Sequence, residues 1–108
     1  MLKKILKIEK VNFNPVANDP SMLFFTVTGI VPSGGWKAPQ LIPHVYLDPP
    51  PKGIYEFDFI AEAPAPADEV IKITAKIDCN FKMANMPQDL KGVKVYSSSN
   101  SKVVLKGK

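Results

Sequence analysis

Arginine is absent from this chain of 108 residues, whose 14 basic side chains are all lysine. Phosphate and guanine recognition rely on the planar guanidinium fork, so the lack of it argues against a nucleic-acid partner. Cysteine occurs once, as Cys79, which excludes an intramolecular disulfide and a cysteine-built zinc cage. His44 and Trp36 are likewise the only residues of their kind. No run approaches the ~20 apolar residues of a membrane-spanning helix. The opening Met1-Leu2-Lys3-Lys4-Ile5-Leu6 resembles the start of a secretion signal, but Lys7, Glu9 and Lys10 interrupt any apolar core. The expectation is a soluble, cytoplasmic protein with neither membrane nor nucleic acid as partner. Gly-x-Ser-x-Gly elbows, phosphate-cradling glycine loops and dinucleotide fingerprints are also missing, which disfavours an enzyme and implies no cofactor.

Proline is plentiful, with 11 residues, about twice the usual share of roughly 5%. The formal net charge is +4, unevenly spread. Residues 1–10 carry +3 and residues 91–108 carry +5, whereas residues 11–90 carry −4. The basicity thus belongs to the two ends, where solvated lysines are the ordinary outcome. With 45% hydrophobic and 22% charged residues, the chain suits one globular domain spanning 1–108.

The dominant period is two. From Val70 to Phe81, Ile71, Ile73, Ala75, Ile77, Cys79 and Phe81 alternate with Lys72, Thr74, Lys76, Asp78 and Asn80. This predicts a long strand with one face in the core. Ile54 to Ala63 repeats the pattern, and Met22 to Val31 reads as a central strand covered on both faces. Ile5 to Phe13 is a first strand ended by Asn14-Pro15. Leu41 to Asp48 is shorter, its Pro43 marking an edge or a strand start. Val93 to Ser97 and Lys102 to Leu105 form a closing hairpin, where Asn100 suits a left-handed turn position. A short turn fits Met83 to Leu90. Seven short strands predict an antiparallel β-sandwich of immunoglobulin-like type, with a small barrel as the alternative.

The run Gly35-Trp36-Lys37-Ala38-Pro39-Gln40-Leu41-Ile42-Pro43, followed by Gly53-Ile54-Tyr55-Glu56-Phe57-Asp58-Phe59, resembles a group of small bacterial all-β proteins. That group shares a Gly-Trp-x-x-Pro-x-Leu-x-Pro and a Gly-Ile-x-x-Phe-Asp-Phe signature. The resemblance covers roughly residues 27–101, including Leu90 to Val95 and Asn100-Ser101. It implies the all-β fold and its boundaries, and no activity.

Three features are candidates for function. If strands 41–48 and 54–63 pair as a hairpin with Asp48 opposite Ile54, Tyr46 faces Glu56 and His44 faces Asp58. The parity then puts His44, Tyr46, Glu56 and Asp58 in one outward patch. It is a solvated face, a binding face or, with one histidine and two carboxylates of no diagnostic spacing, a metal site. Trp36 follows the flexible Ser33-Gly34-Gly35 and is either an interface anchor or a cap over the end of the sandwich. Pro49-Pro50-Pro51-Lys52 is a stiff connection or an imitation of a polyproline ligand. Cys79 with His44 is the only cysteine–histidine pair, set against the apolar strand position of Cys79.

These features favour a non-enzymatic binding or assembly module. It contacts a protein partner through Trp36 or the His44, Tyr46, Glu56, Asp58 face, or associates with itself through edge strands. A peptidase-inhibitor-like protein is the alternative, with Asn18-Asp19-Pro20, Gly34-Gly35-Trp36 and the Pro64–Pro66 loop grouped at one end.

Overall fold

The computed structural model describes residues 1–14, 22–48, 50–84, 87 and 89–105. Eight strands follow in order: β1 (Leu2–Lys4), β2 (Lys7–Phe13), β3 (Leu23–Val31), β4 (Lys37–Pro43), β5 (Ile54–Glu62), β6 (Ala75–Met83), β7 (Gly92–Tyr96) and β8 (Ser101–Leu105). The only helical turn among the described residues is a 3-10 turn at Pro51–Gly53. Five strands form one sheet and three form the other, ordered β2-β3-β6. In the larger sheet β5 is the hub, with β4 along one side. On its other side β1 occupies Ile60 to Glu62 and β7 occupies Ile54 to Asp58, and β8 lies beyond β7.

Alternation explains how the sheets stack. Phe57, Phe59 and Ala61 of β5 and Val93 and Val95 of β7 face Phe25 and Val27 of β3 and Ile8 and Val11 of β2, all buried. Phe25 meets Phe57 and Phe81 with ring centroids 5.1 and 5.4 Å apart, within the range of favourable aromatic pairs. The molecule is therefore a β-sandwich, as the alternation predicts.

Several local expectations are corrected. The first strand, expected over Ile5–Phe13, begins at Lys7 and is preceded by the separate β1, because the chain changes sheets between Ile5 and Leu6. The Ile5 amide still donates to Phe59 of the large sheet (3.1 Å), and that of Leu6 already donates to Ile30 of the small one (3.0 Å). A bulge at Glu9 then sets the buried Ile8 and Val11 three residues apart, which breaks strict alternation. Ile5 itself is buried beneath β3 at Gly29, where a Cβ would lie 2.0 Å from Ile5 Cδ1.

β3 is central, flanked by β2 and β6, but only one of its faces is buried. Thr26 and Thr28 on the outer face satisfy strand preference through their branched Cβ without needing cover. The strand expected from Val70 begins at Ala75, opposite Val31, where β3 ends. Ile71 and Ile73 are accordingly 70% and 67% exposed and lie outside the core. The expected Leu41–Asp48 strand is shifted to Lys37–Pro43, and Pro43 closes an edge strand.

The ladder between β5 and β7 is parallel, against the antiparallel expectation. The chain leaves β5, crosses to β6 in the opposite sheet and returns, so β7 arrives beside β5 in the same direction. Gly53 starts that ladder with φ +68°, and a Cβ there would lie 2.1 Å from the Asp89 carbonyl.

Asn100 also departs from expectation: among the described residues the non-glycine positions with positive φ are Ala38 and Lys52, and Asn100 is not one of them. Its carboxamide is what the position requires, since it bonds the β7–β8 turn to the main chain of Ile8. Among the described residues no helix is long and apolar enough to cross a membrane.

Candidate functional site

On the outer face of the large sheet, opposite Phe57 and Phe59, Glu56 and Asp58 project from β5. The segment after β4 runs beside them, held by the His44 amide donating to the Glu56 carbonyl (2.9 Å). Tyr46 Oη donates to Glu56 Oε1 (3.0 Å) and accepts from the Glu56 amide (2.9 Å). His44 Nε2 lies 3.1 Å from Asp58 Oδ1, and its Nδ1 lies 3.8 Å from Glu56 Oε1. The four residues expected to share a patch do share it.

The pairing that brings them together differs from the expected one by two residues. Ile42 faces Asp58 and Pro43 faces Phe57, so the expected opposition of His44 and Asp58 is a diagonal one. An even shift preserves which face each side chain takes, and diagonal neighbours remain within reach of long side chains.

The sequence reading missed Tyr96. Its hydroxyl donates to Glu56 Oε2, so each oxygen of that carboxylate accepts a tyrosine hydroxyl. The His44 ring lies parallel to the Tyr96 ring, 4° apart in plane and 5.6 Å between centroids. Lys94 Nζ sits 4.9 Å from the same centroid, a cation–π distance. Lys4 Nζ approaches Asp58 Oδ1 at 3.7 Å. Tyr96 and Lys94 alternate with the buried Val93 and Val95, which marks them as outward. Their position beside Glu56 depends on the parallel β5–β7 ladder, for which local sequence carries no signal.

The electrostatics follow from these contacts. The Tyr96 hydroxyl holds the Glu56 carboxyl below its ordinary range, assisted by Tyr46, His44 and Lys94 and opposed by partial burial. Partial burial raises the Tyr46 phenol, and the Glu56 carboxylate adds to this through its side chain while the Glu56 amide counteracts it. The result is a fixed carboxylate clamped between two tyrosines and bordered by lysines.

The other candidates lie elsewhere. Trp36 is half-buried and packs against the core. Cys79 is on the core side of β6, with Sγ 3.5 Å from the Pro39 carbonyl, and partial burial raises its thiol pKa. It therefore lies in the other sheet from His44 and makes no nucleophile–base pair with it. Pro50 is buried and extended, and its carbonyl accepts from Gly53 (3.3 Å), so the chain turns there rather than continuing as a polyproline helix. Pro49 lies outside the described residues. So do Asn18-Asp19-Pro20 and three residues of the turn expected in 83–90. The Gly35 and Pro64 loops do pack together, a Cβ on Gly35 falling 3.2 Å from Pro64 Cβ. Among the described residues no three His, Cys, Asp or Glu side chains are grouped to hold a metal ion.

No protein-family model, curated protein or solved structure matches the chain.

Proposed function

We propose that this protein is a non-enzymatic protein-binding module whose contact surface is the outer face of the large sheet around His44, Tyr46, Glu56, Asp58 and Tyr96. The observation that carries the proposal is the clamp of Glu56 on both tyrosine hydroxyls. Two aromatic side chains held in place before binding lose little rotamer entropy on contact, which is how rigid anchors favour association. Lys4 and Lys94 supply a charged rim, and the exposed Ile42, Val103 and Leu105 supply apolar margins.

The same contacts favour binding over catalysis. A carboxyl held low with both oxygens occupied carries no transferable proton near neutral pH. The thiol of Cys79 is pushed up and separated from His44. Trp36, packed on the core, supports the end of the sandwich rather than presenting a free ring.

An immunoglobulin-like use of the sandwich, with contacts made through a sheet face and end loops, belongs to this proposal. So does a cytoplasmic setting, in which the lone Cys79 stays reduced. The proposal is tested by capture from native lysate, comparing the wild type with face variants. Loss of a captured protein with Lys94→Glu and Val103→Asp supports it.

A second reading, inhibition of a peptidase by end loops, is favoured by the packing of the Gly35 and Pro64 loops. A protease panel assayed with the intact chain tests it, and no inhibition at micromolar protein overturns it.

A further inference from the structure

β1 and β7 lie end to end along the same side of β5, yet they are held there in different ways. β7 buries Val93 and Val95 and is backed by β8. All three residues of β1 are exposed, and among the described residues β5 is its only strand neighbour. The Met1 carbonyl accepts from the Ala63 amide (3.0 Å), and the Ile5 amide donates to the Phe59 carbonyl (3.1 Å). Antiparallel alternation makes Lys3 and Ala61, midway between these two, the remaining bonded pair. The other ties are ionic. The Met1 ammonium pairs with Glu62, and Lys4 Nζ lies 3.7 Å from Asp58 Oδ1. Both pairs are at the surface, where ion pairs contribute little and salt screens them.

The residues that follow are anchored. Ile5 is fully buried, and its carbonyl accepts from the Ser98 amide (2.9 Å). The Leu6 amide donates to Ile30 (3.0 Å), and the Leu6 carbonyl accepts from the Ser99 amide (3.2 Å). Residues 1–4 are therefore a short ladder with no buried side chain, joined to a fixed point. Hydrogen-bonded main chain without apolar cover is where local opening costs least.

We infer that Met1–Lys4 is a strap that opens as a unit about Ile5 while the sandwich stays folded, and that its opening resets the charge of the outer face of the large sheet. Closed, the strap sets Lys4 against Asp58 and within 6.0 Å of the Tyr96 ring centroid. Open, it withdraws Lys4, so that among the described residues Asp58 keeps His44 as its partner, and it bares the main chain of Ala61 on the β5 edge. A contact made through Asp58 selects the open strap, and one made through Lys4 selects the closed strap. The strap acts on the face assigned above, but its opening is measured without any partner, so either reading can fail while the other stands.

Native-state hydrogen exchange of the full chain, followed residue by residue by NMR, tests the inference. After correction for intrinsic rates, the amides of Lys3, Ala61 and Ala63 exchange at least about a hundredfold faster than those of Val27 and Val95. Low denaturant leaves the fast rates nearly unchanged, because opening four residues exposes little surface. Lys4→Gln, with circular dichroism to confirm the fold, removes the pair with Asp58. It speeds exchange at Ala61 and Ala63 about two- to fourfold and leaves Val27 unchanged. Ala61 and Ala63 amides that exchange as slowly as Val27, with the same denaturant dependence, overturn the inference. So does a Lys4→Gln variant in which Ala61 exchanges at the wild-type rate.

Discussion

The side chain of Asn100 stands in for a strand residue against Ile8: its Oδ1 accepts from the Ile8 amide at 2.7 Å, and its Nδ2 donates to the Ile8 carbonyl at 3.0 Å. Ser97 Oγ donates to the same Oδ1 at 2.7 Å, fixing the carboxamide. The exchange ties the β7–β8 turn to β2 and so links the two sheets where the chain crosses between them. Asn100→Ala leaves both Ile8 groups without this partner and is expected to cost about 2–3 kcal/mol. In a domain of this size that lowers Tm by roughly 10–20 °C, read by thermal unfolding. Asn100→Asp keeps the acceptor and loses the donor, so it does not restore wild-type stability.

Gly29 and Ile5 form a steric pair. A methyl group at 29 would meet Ile5 Cδ1 at 2.0 Å and the Lys7 carbonyl at 3.0 Å. Alanine normally improves on glycine inside a strand, but Gly29→Ala is expected to destabilise by about 1–3 kcal/mol through overpacking. Adding Ile5→Val, which removes the Cδ1 atom, recovers part of that loss. A double-mutant cycle by denaturant unfolding measures the coupling, and strictly additive effects would contradict it.

The Glu56 clamp makes stability depend on pH. Its folded pKa lies below its ordinary value, so its contribution is full above the ordinary glutamate range. That contribution is lost as pH falls through the lower folded value. Glu62, held low by hydrogen bonding to the Met1 ammonium, acts in the same direction. The informative comparison is therefore between wild type and Glu56→Gln. The variant is expected to lose about 1–2 kcal/mol at pH 7 and to show a shallower decline in denaturant midpoint toward pH 3.

The Cys79 thiol is raised by burial and faces the core side of β6. Its reaction with a disulfide reagent at pH 8 is expected to run at least about tenfold slower in the folded protein than in denaturant. Equal rates would contradict the placement.

Side-chain parity was the most legible property of the sequence. It put Phe57, Phe59 and Ile77 on core-facing positions, and it grouped His44, Tyr46, Glu56 and Asp58 despite a register error of two residues. Parity survives any even slip, so the face is readable where the pairing is not. What local alternation does not encode is which strands become neighbours. Tyr96 was missed because the β5–β7 ladder joins segments that are distant in sequence. Ile71 and Ile73 were placed in the core because alternation does not report where the partner strand ends. Asn100 was read for its backbone tolerance, whereas the structure uses its side chain.

Affinity capture from native lysate with four forms of the chain tests the central claim most directly. Wild type is compared with Lys94→Glu and Val103→Asp, which alter the outer face of the large sheet, and with Lys10→Glu on β2 of the small sheet. Both face variants lose a protein that wild type captures, while Lys10→Glu, with the same charge change as Lys94→Glu, retains it. No captured protein, or capture that the face variants leave unchanged, would contradict the assignment of that face as the binding surface.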